Sequence, residues 1–129
     1  MSEQGERSIG PDAVRNLRIW QDGMMIVREV YRRTQSWPKE EIYGLTAQAR
    51  RAAVSIPANL AEGLGRGTAG EVSRFAQTAL GSAYELDTLL QIAAELGYLD
   101  QDDAKLLRKS LGELIKRISA FIRYQEGRR

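Results

Sequence analysis

The stretch Val54-Ser55-Ile56-Pro57-Ala58-Asn59-Leu60-Ala61-Glu62-Gly63-Leu64-Gly65-Arg66-Gly67-Thr68 places a proline inside what otherwise reads as helix. Ile42, Leu45, Ala49, Ala52, Ile56, Leu60 and Gly63 recur at steps of three and four, the helical period. On a wheel of about 100° per residue, Gln48, Arg51, Ser55, Asn59, Glu62 and Arg66 fill an adjoining arc of roughly 80°. Pro57 has no N–H and its ring crowds the carbonyl of Ala53, which predicts a kinked helix at a cost of about 3 kcal/mol or more. A polar stripe therefore borders the core where a backbone acceptor is released. Three readings of Ser55, Pro57, Asn59, Glu62 and Arg66 stay open. Ser55 and Asn59 satisfy freed acceptors while Glu62 pairs with Arg66 four residues on. Alternatively, the stripe lines a contact between copies of the chain. A catalytic or ligand site is the least favoured, because the stripe lacks a good nucleophile or base.

Working outward, Gly63, Gly65 and Gly67 end this helix, and Thr68-Ala69-Gly70-Glu71 has the form of a capping box that starts the next. That third run carries Val72, Phe75, Ala79, Leu86, Leu89, Leu90, Ala93 and Leu96, with small residues Ala76, Gly81, Ser82 and Ala83 implying a close helix neighbour. Leu96-Gly97-Tyr98-Leu99 reads as a glycine C-cap, and Asp100 as the N-cap of a fourth run with Asp102 and Asp103 in its first turn. The fourth seam is Leu107, Leu111, Leu114, Ile118 and Phe121. Upstream, Leu17, Trp20, Met24, Val27 and Tyr31 predict one helix from Asp12 to Thr34. Ser36-Trp37-Pro38 breaks the chain, and Pro38 is placed at the first turn of the second helix, with Glu40 and Glu41 at its positive end. Long helices with short connections favour antiparallel neighbours, hence an all-α, up-down-up-down four-helix bundle over residues 11–126. Residues 1–10 are polar, lack the apolar core of a secretion signal, and read as a disordered lead-in.

The 129 residues suffice for one domain with a single core, and no apolar run is long enough to cross a membrane. The chain has no cysteine and no histidine. Disulfides, thiolate chemistry, Ser-His-Asp triads and ordinary zinc or haem sites are thereby excluded, and no metal or cofactor is implied. The expectation is a cytoplasmic protein that is not an enzyme. Asp100, Asp102 and Asp103 alternate like part of a calcium loop, but the other ligands and the loop glycine are missing, so capping explains them better.

Charge is segregated along the chain. Between Phe75 and Ala104 there are six acidic residues and no lysine or arginine; from Lys105 to Arg129 there are eight basic residues against Glu113 and Glu126 alone. Lys105, Lys109, Lys116 and Arg123 fall within about 40° on the wheel, opposite the apolar seam. Such a stripe suits the phosphates of RNA or DNA, or is simply a solvated face. Arg15, Arg18, Arg28, Arg32 and Arg33 on the first helix extend it, whereas Arg50, Arg51, Arg66 and Arg74 are expected around the second and third helices. With no helix-turn-helix or RNA-recognition signature, binding would be led by the backbone.

Leu45 to Arg66 ("LTAQARRAAVSIPANLAEGLGR") followed by Glu71 to Leu99 ("EVSRFAQTALGSAYELDTLLQIAAELGYL") resembles the 23S rRNA intervening-sequence protein family. The combination of Ser-Ile-Pro-Ala-Asn-Leu-Ala-Glu-Gly with Gly81-Ser82-x-x-Glu85-Leu86 carries the resemblance, which extends more loosely to Leu17-x-x-Trp20 and the last helix. It implies a bacterial four-helix bundle that assembles as a ring-shaped homopentamer without enzymatic activity. It also implies kinship with the accessory variability proteins of diversity-generating retroelements, which bind nucleic acid and a reverse transcriptase. The departures from the family pattern, Val72 for a bulkier aromatic and extra glycines near Arg66, bear on a loop and not on the fold.

Overall fold

A computed structural model describes residues 10–129; the expected disordered segment, Gly10 apart, lies outside the described residues. All regular structure there is helical: α1 (Pro11–Arg15), α2 (Arg18–Thr34), a 3-10 turn (Lys39–Glu41), α3 (Leu45–Arg66), α4 (Ala69–Glu95) and α5 (Gln101–Gly127).

The single helix expected from Asp12 to Thr34 is in fact two. Leu17 is extended (φ −78°, ψ 118°), and the Gln21 amide donates to the Arg15 carbonyl at 2.7 Å across the break. The seam of α2 also differs from the expected one. Its buried line is Ile19, Gly23, Ile26, Val30 and Thr34, while Leu17 and Val27 only flank the core and Tyr31 is 42% exposed. Gly23 and Thr34 are not large apolar residues, so a hydrophobic pattern hides this line. A Cβ at Gly23 would make ordinary van der Waals contact, 3.4 Å from Ile56 Cγ2 and from Pro57 Cδ. The α2 backbone thus runs close over the Pro57 ring.

Pro38 precedes the 3-10 turn instead of opening α3, which begins only at Leu45. Glu41 bridges the gap. One carboxylate oxygen accepts from the Leu45 N–H at 2.9 Å and the other from the Tyr98 hydroxyl at 3.0 Å. The helix dipole favours an anion at that end. Ile42, expected in the seam, is 47% exposed because it lies before the helix starts. Pro57 is buried inside the span of α3.

Thr68 caps α4 by accepting from the Glu71 N–H at 3.2 Å. The reciprocal half of the box is absent, since the Glu71 carboxylate is paired with Arg74 instead. Gly97 takes φ +82°, a conformation that favours glycine, and the Tyr98 N–H reaches back to the Ala93 carbonyl at 2.9 Å, closing the C-terminus of α4. Asp100 caps α5 through the N–H groups of Asp102 and Asp103.

Ile56, Leu86, Leu90, Leu111, Leu114, Ile118 and Val30 are fully buried, so α2, α3, α4 and α5 all supply one core. Each such side chain contributes about 1.5–3 kcal/mol of apolar burial. Partner numbers fall along one helix as they rise along the next. Ser55 meets Ser82 and Gly63 meets Phe75 between α3 and α4; Asp87 meets Arg108 and Ser73 meets Glu126 between α4 and α5. Asp22 meets Arg117 and Arg33 meets Asp103 between α2 and α5. Among the glycines, the tightest approach between two helices is at Gly63, where an added Cβ would lie 2.7 Å from Phe75 Cβ and 3.3 Å from the Val72 carbonyl. Gly81, expected to mark such an approach, faces open space instead.

Candidate nucleic-acid interface

The buried line of α5 runs through Leu107, Leu111, Leu114 and Ile118, which turns Lys105, Lys109, Lys116 and Arg123 outward. All four are exposed. None is in an ion pair among the described residues. From the first to the last they span about 27 Å of helix at 1.5 Å per residue. They form a positive ridge, with one exposed carboxylate, Glu113, between Lys109 and Lys116.

The cations of α1 and α2 behave differently. Arg15 pairs with Asp12, Arg18 with Asp22 at 3.4 Å, and Arg32 with Glu29 at 2.8 Å. Arg33 reaches Asp103 on α5. The Glu29 bond raises the pKa of Arg32 above its ordinary value, so this arginine stays charged but locally neutralised. Arg28 has no such partner among the described residues. Arg50, expected near the second and third helices, turns toward α2. It donates to the Thr34 hydroxyl at 2.9 Å and stacks over the Tyr31 ring at 4.7 Å.

The polar stripe of α3 is internally satisfied. Asn59 Nδ2 donates to the Ser55 carbonyl and to Ser55 Oγ, both at 2.8 Å, and Ser55 Oγ shares a hydrogen bond of 2.8 Å with Ser82 on α4. The acceptor Asn59 serves is therefore Ser55's carbonyl, not that of Ala53, the one Pro57 orphans. Glu62 and Arg66 pair at 3.0 Å with both side chains about half exposed. Arg66 and Arg74 also flank the Phe75 ring, at 5.2 and 4.4 Å from its centre. Glu62 gathers no other carboxylate. The cleft of ≈ 510 Å³ beside it is lined by Gly10, Pro11, Val14, Trp20, Ala61 and Leu64 and is mainly apolar. Among the described residues, no group of three or more carboxylates is placed to hold a metal ion. No described helix is long and apolar enough to cross a membrane.

A family model described as 23S rRNA-intervening sequence protein matches residues 15–120. The chain belongs to this family. The match takes in α2, α3 and α4 entire and most of α5, and so includes both the polar stripe and three of the four ridge cations. A comparison with curated proteins finds no match.

Several polar links escape a reading of the sequence. Ser82 stands out in sequence as a small residue and in the Gly81-Ser82-x-x-Glu85-Leu86 motif; its role as the partner of Ser55 could have been found from their near-mirror placement about Thr68. Ser73, 1% exposed, donates to Glu126 and accepts from Gln77 at 3.3 Å. With Arg129 it holds the Glu126 carboxyl below its ordinary range. Arg108 grips Asp87 with two nitrogens at 2.8 and 3.0 Å and reaches Gln91 as well. A partly buried arginine inside a basic run gives no sign of this in sequence. Trp37 and Tyr98 pack with ring centres 6.2 Å apart, Trp37 within the core and Tyr98 against it.

Proposed function

We propose that this family member is a non-enzymatic binding protein whose α5 ridge holds the phosphates of structured RNA or DNA. The observation that carries this reading is the contrast between two sets of cations. Lys105, Lys109, Lys116 and Arg123 are exposed and in no ion pair among the described residues, while Arg15, Arg18, Arg32 and Arg33 are paired with carboxylates. Arg18 and Arg32 therefore contribute at the margin, after exchanging an internal partner for a phosphate. The opposed contact sense supports an up-down-up-down arrangement of α2 to α5, with α3 bent at Pro57 where the ring meets Gly23. The resemblance supports a ring-shaped homopentamer in the bacterial cytoplasm, and five ridges on one particle turn weak single contacts into useful avidity.

A gel shift with a structured RNA, titrated with salt, tests the reading. Changing Lys105, Lys109 and Lys116 to Glu should abolish the shift, and wild-type affinity should fall steeply between about 50 and 200 mM salt. Unchanged binding by the triple variant removes the ridge from the mechanism. The second reading is a protein scaffold, for example an accessory subunit of a reverse transcriptase, favoured by the apolar side chains left exposed at Met25 and Leu106. A protein captured by the chain after nuclease treatment would favour it.

A further inference from the structure

The last turns of α5 add an aromatic ring to the ridge. Tyr124 follows Arg123 directly, is 63% exposed and lies outside the core. It stands about 100° round the helix from Arg123 and about 80° from Lys116, so it borders the line of cations. The Arg128 guanidinium sits over the ring, 5.6 Å from its centre. That guanidinium backs one face of the ring, and a side chain so exposed keeps its other face toward solvent.

The charges along this stretch favour an anion. The helix-surface neighbours of Tyr124 at three and four residues are Ala120, Phe121, Gly127 and Arg128, none of them acidic. Glu126 is the only carboxylate of α5 after Glu113, and Ser73 and Arg129 hold it. Two turns before Tyr124, Arg117 pairs with Asp22 at 3.1 Å. Arg123 and Arg128 are exposed and in no ion pair among the described residues. Arg128 answers the negative C-terminal end of the helix, whereas Arg123 lies beyond the last turn and does not. The other well-exposed tyrosines have different surroundings. Tyr84, 58% exposed, belongs to the run without lysine or arginine, and Tyr43, 94% exposed, follows Lys39, Glu40 and Glu41, a turn of net negative charge.

We infer that Tyr124 is a stacking platform for one unpaired base, with Arg123 on the phosphate beside it and Arg128 behind the ring, so that the C-terminal end of the ridge takes a single-stranded overhang. The inference rests on the phosphate-binding ridge proposed above and names the form of nucleic acid that its end receives. A base inside a duplex has both faces covered by its neighbours, whereas an unpaired base can lie flat on an aromatic ring. Every base presents such a face, so the contact carries little sequence preference.

Fluorescence anisotropy tests it, with a labelled RNA duplex that is either blunt or carries a short single-stranded adenine overhang. Tyr124→Ala should weaken binding of the overhang RNA about tenfold and leave the blunt duplex unchanged. Tyr124→Phe keeps the ring and should bind as wild type; circular dichroism checks that both variants are folded. Salt dependence separates the roles: Tyr124→Ala should leave the slope unchanged, while Arg123→Ala should lower it by about one. A deoxyribose overhang should show the same loss, because the ring meets the base and not the sugar. Wild-type affinity in Tyr124→Ala overturns the platform and leaves the ridge standing. So does an equal loss on blunt and overhang RNA, a loss confined to ribose, or a Phe variant as weak as the Ala one. A wild type that binds neither RNA in dilute salt overturns the ridge and the platform together.

Discussion

Gly63→Ala, set against Gly112→Ala, tests how α3 meets α4. In a helix interior, alanine is favoured over glycine by about 0.8–1 kcal/mol. At Gly112 an added Cβ meets nothing within 4 Å, so that gain should appear in full. At Gly63 the Cβ would lie 2.7 Å from Phe75 Cβ, 3.3 Å from the Val72 carbonyl oxygen and 3.4 Å from Val72 Cα. Two of these atoms are backbone and the third is the root of a side chain, so rotamer change gives no relief and the helices must part. Overpacking of this kind costs about 1–3 kcal/mol, with the rigid neighbours placing it at the upper end. After the propensity gain, the net loss is about 1–2 kcal/mol, and the two variants should differ by about 2–3 kcal/mol. Urea unfolding followed by helical circular dichroism, at matched protein concentration, reads the difference as a midpoint shift at constant slope. A Gly63→Ala protein as stable as the wild type would refute the close approach. A destabilised Gly112→Ala would refute the open space.

Further outcomes follow from the polar links. Asn59→Ala removes both bonds to Ser55 and should lower stability by about 1–2 kcal/mol; a melting temperature and an oligomer mass both at wild-type values would deny the stripe a structural role. Thr68→Ala removes the N-cap of α4 and should cost about 1 kcal/mol, whereas Thr68→Ser should cost little, as thermal melts would show. Glu126 has a folded pKa below its unfolded value of about 4.3, so its contribution is present above that pH and is lost as pH falls through the folded pKa. Ser73→Ala should therefore destabilise more at pH 6 than at pH 3, and an equal loss at both would remove Glu126 from the account.

The helical class, both aspartate and threonine caps, the Gly97 stop and the seam of α5 as far as Ile118 were legible, because each rests on local chemistry within about one turn; beyond Ile118, Phe121 is only partly buried and Gln125 is buried instead. The register of α2 was not legible. Its core line passes through Gly23 and Thr34, neither a large apolar residue, and Gly23 is buried against Ile56 and Pro57 of another helix. The start of α3 was misplaced because Glu41 acts through Leu45 and Tyr98, one of them distant in sequence. At the candidate interface, the outward ridge followed directly from periodicity. What periodicity could not supply was pairing across helix seams, where Arg33 meets Asp103 and Arg50 meets Thr34; the partners of Arg18 and Arg32 lie four and three residues away and were within its reach.

The join between α3 and α4 consists of Gly67 and Thr68 alone. Closing so short a loop loses less chain entropy than closing the α2–α3 or α4–α5 connection, and it brings Gly63 onto Phe75 within a few residues of the reversal. This hairpin is thus the natural nucleus of folding, with α2 docking afterwards across contacts as remote as Asp22 with Arg117. Substitutions at Gly63 should slow the folding rate, while substitutions at Asp22 should hasten unfolding and leave the folding rate alone.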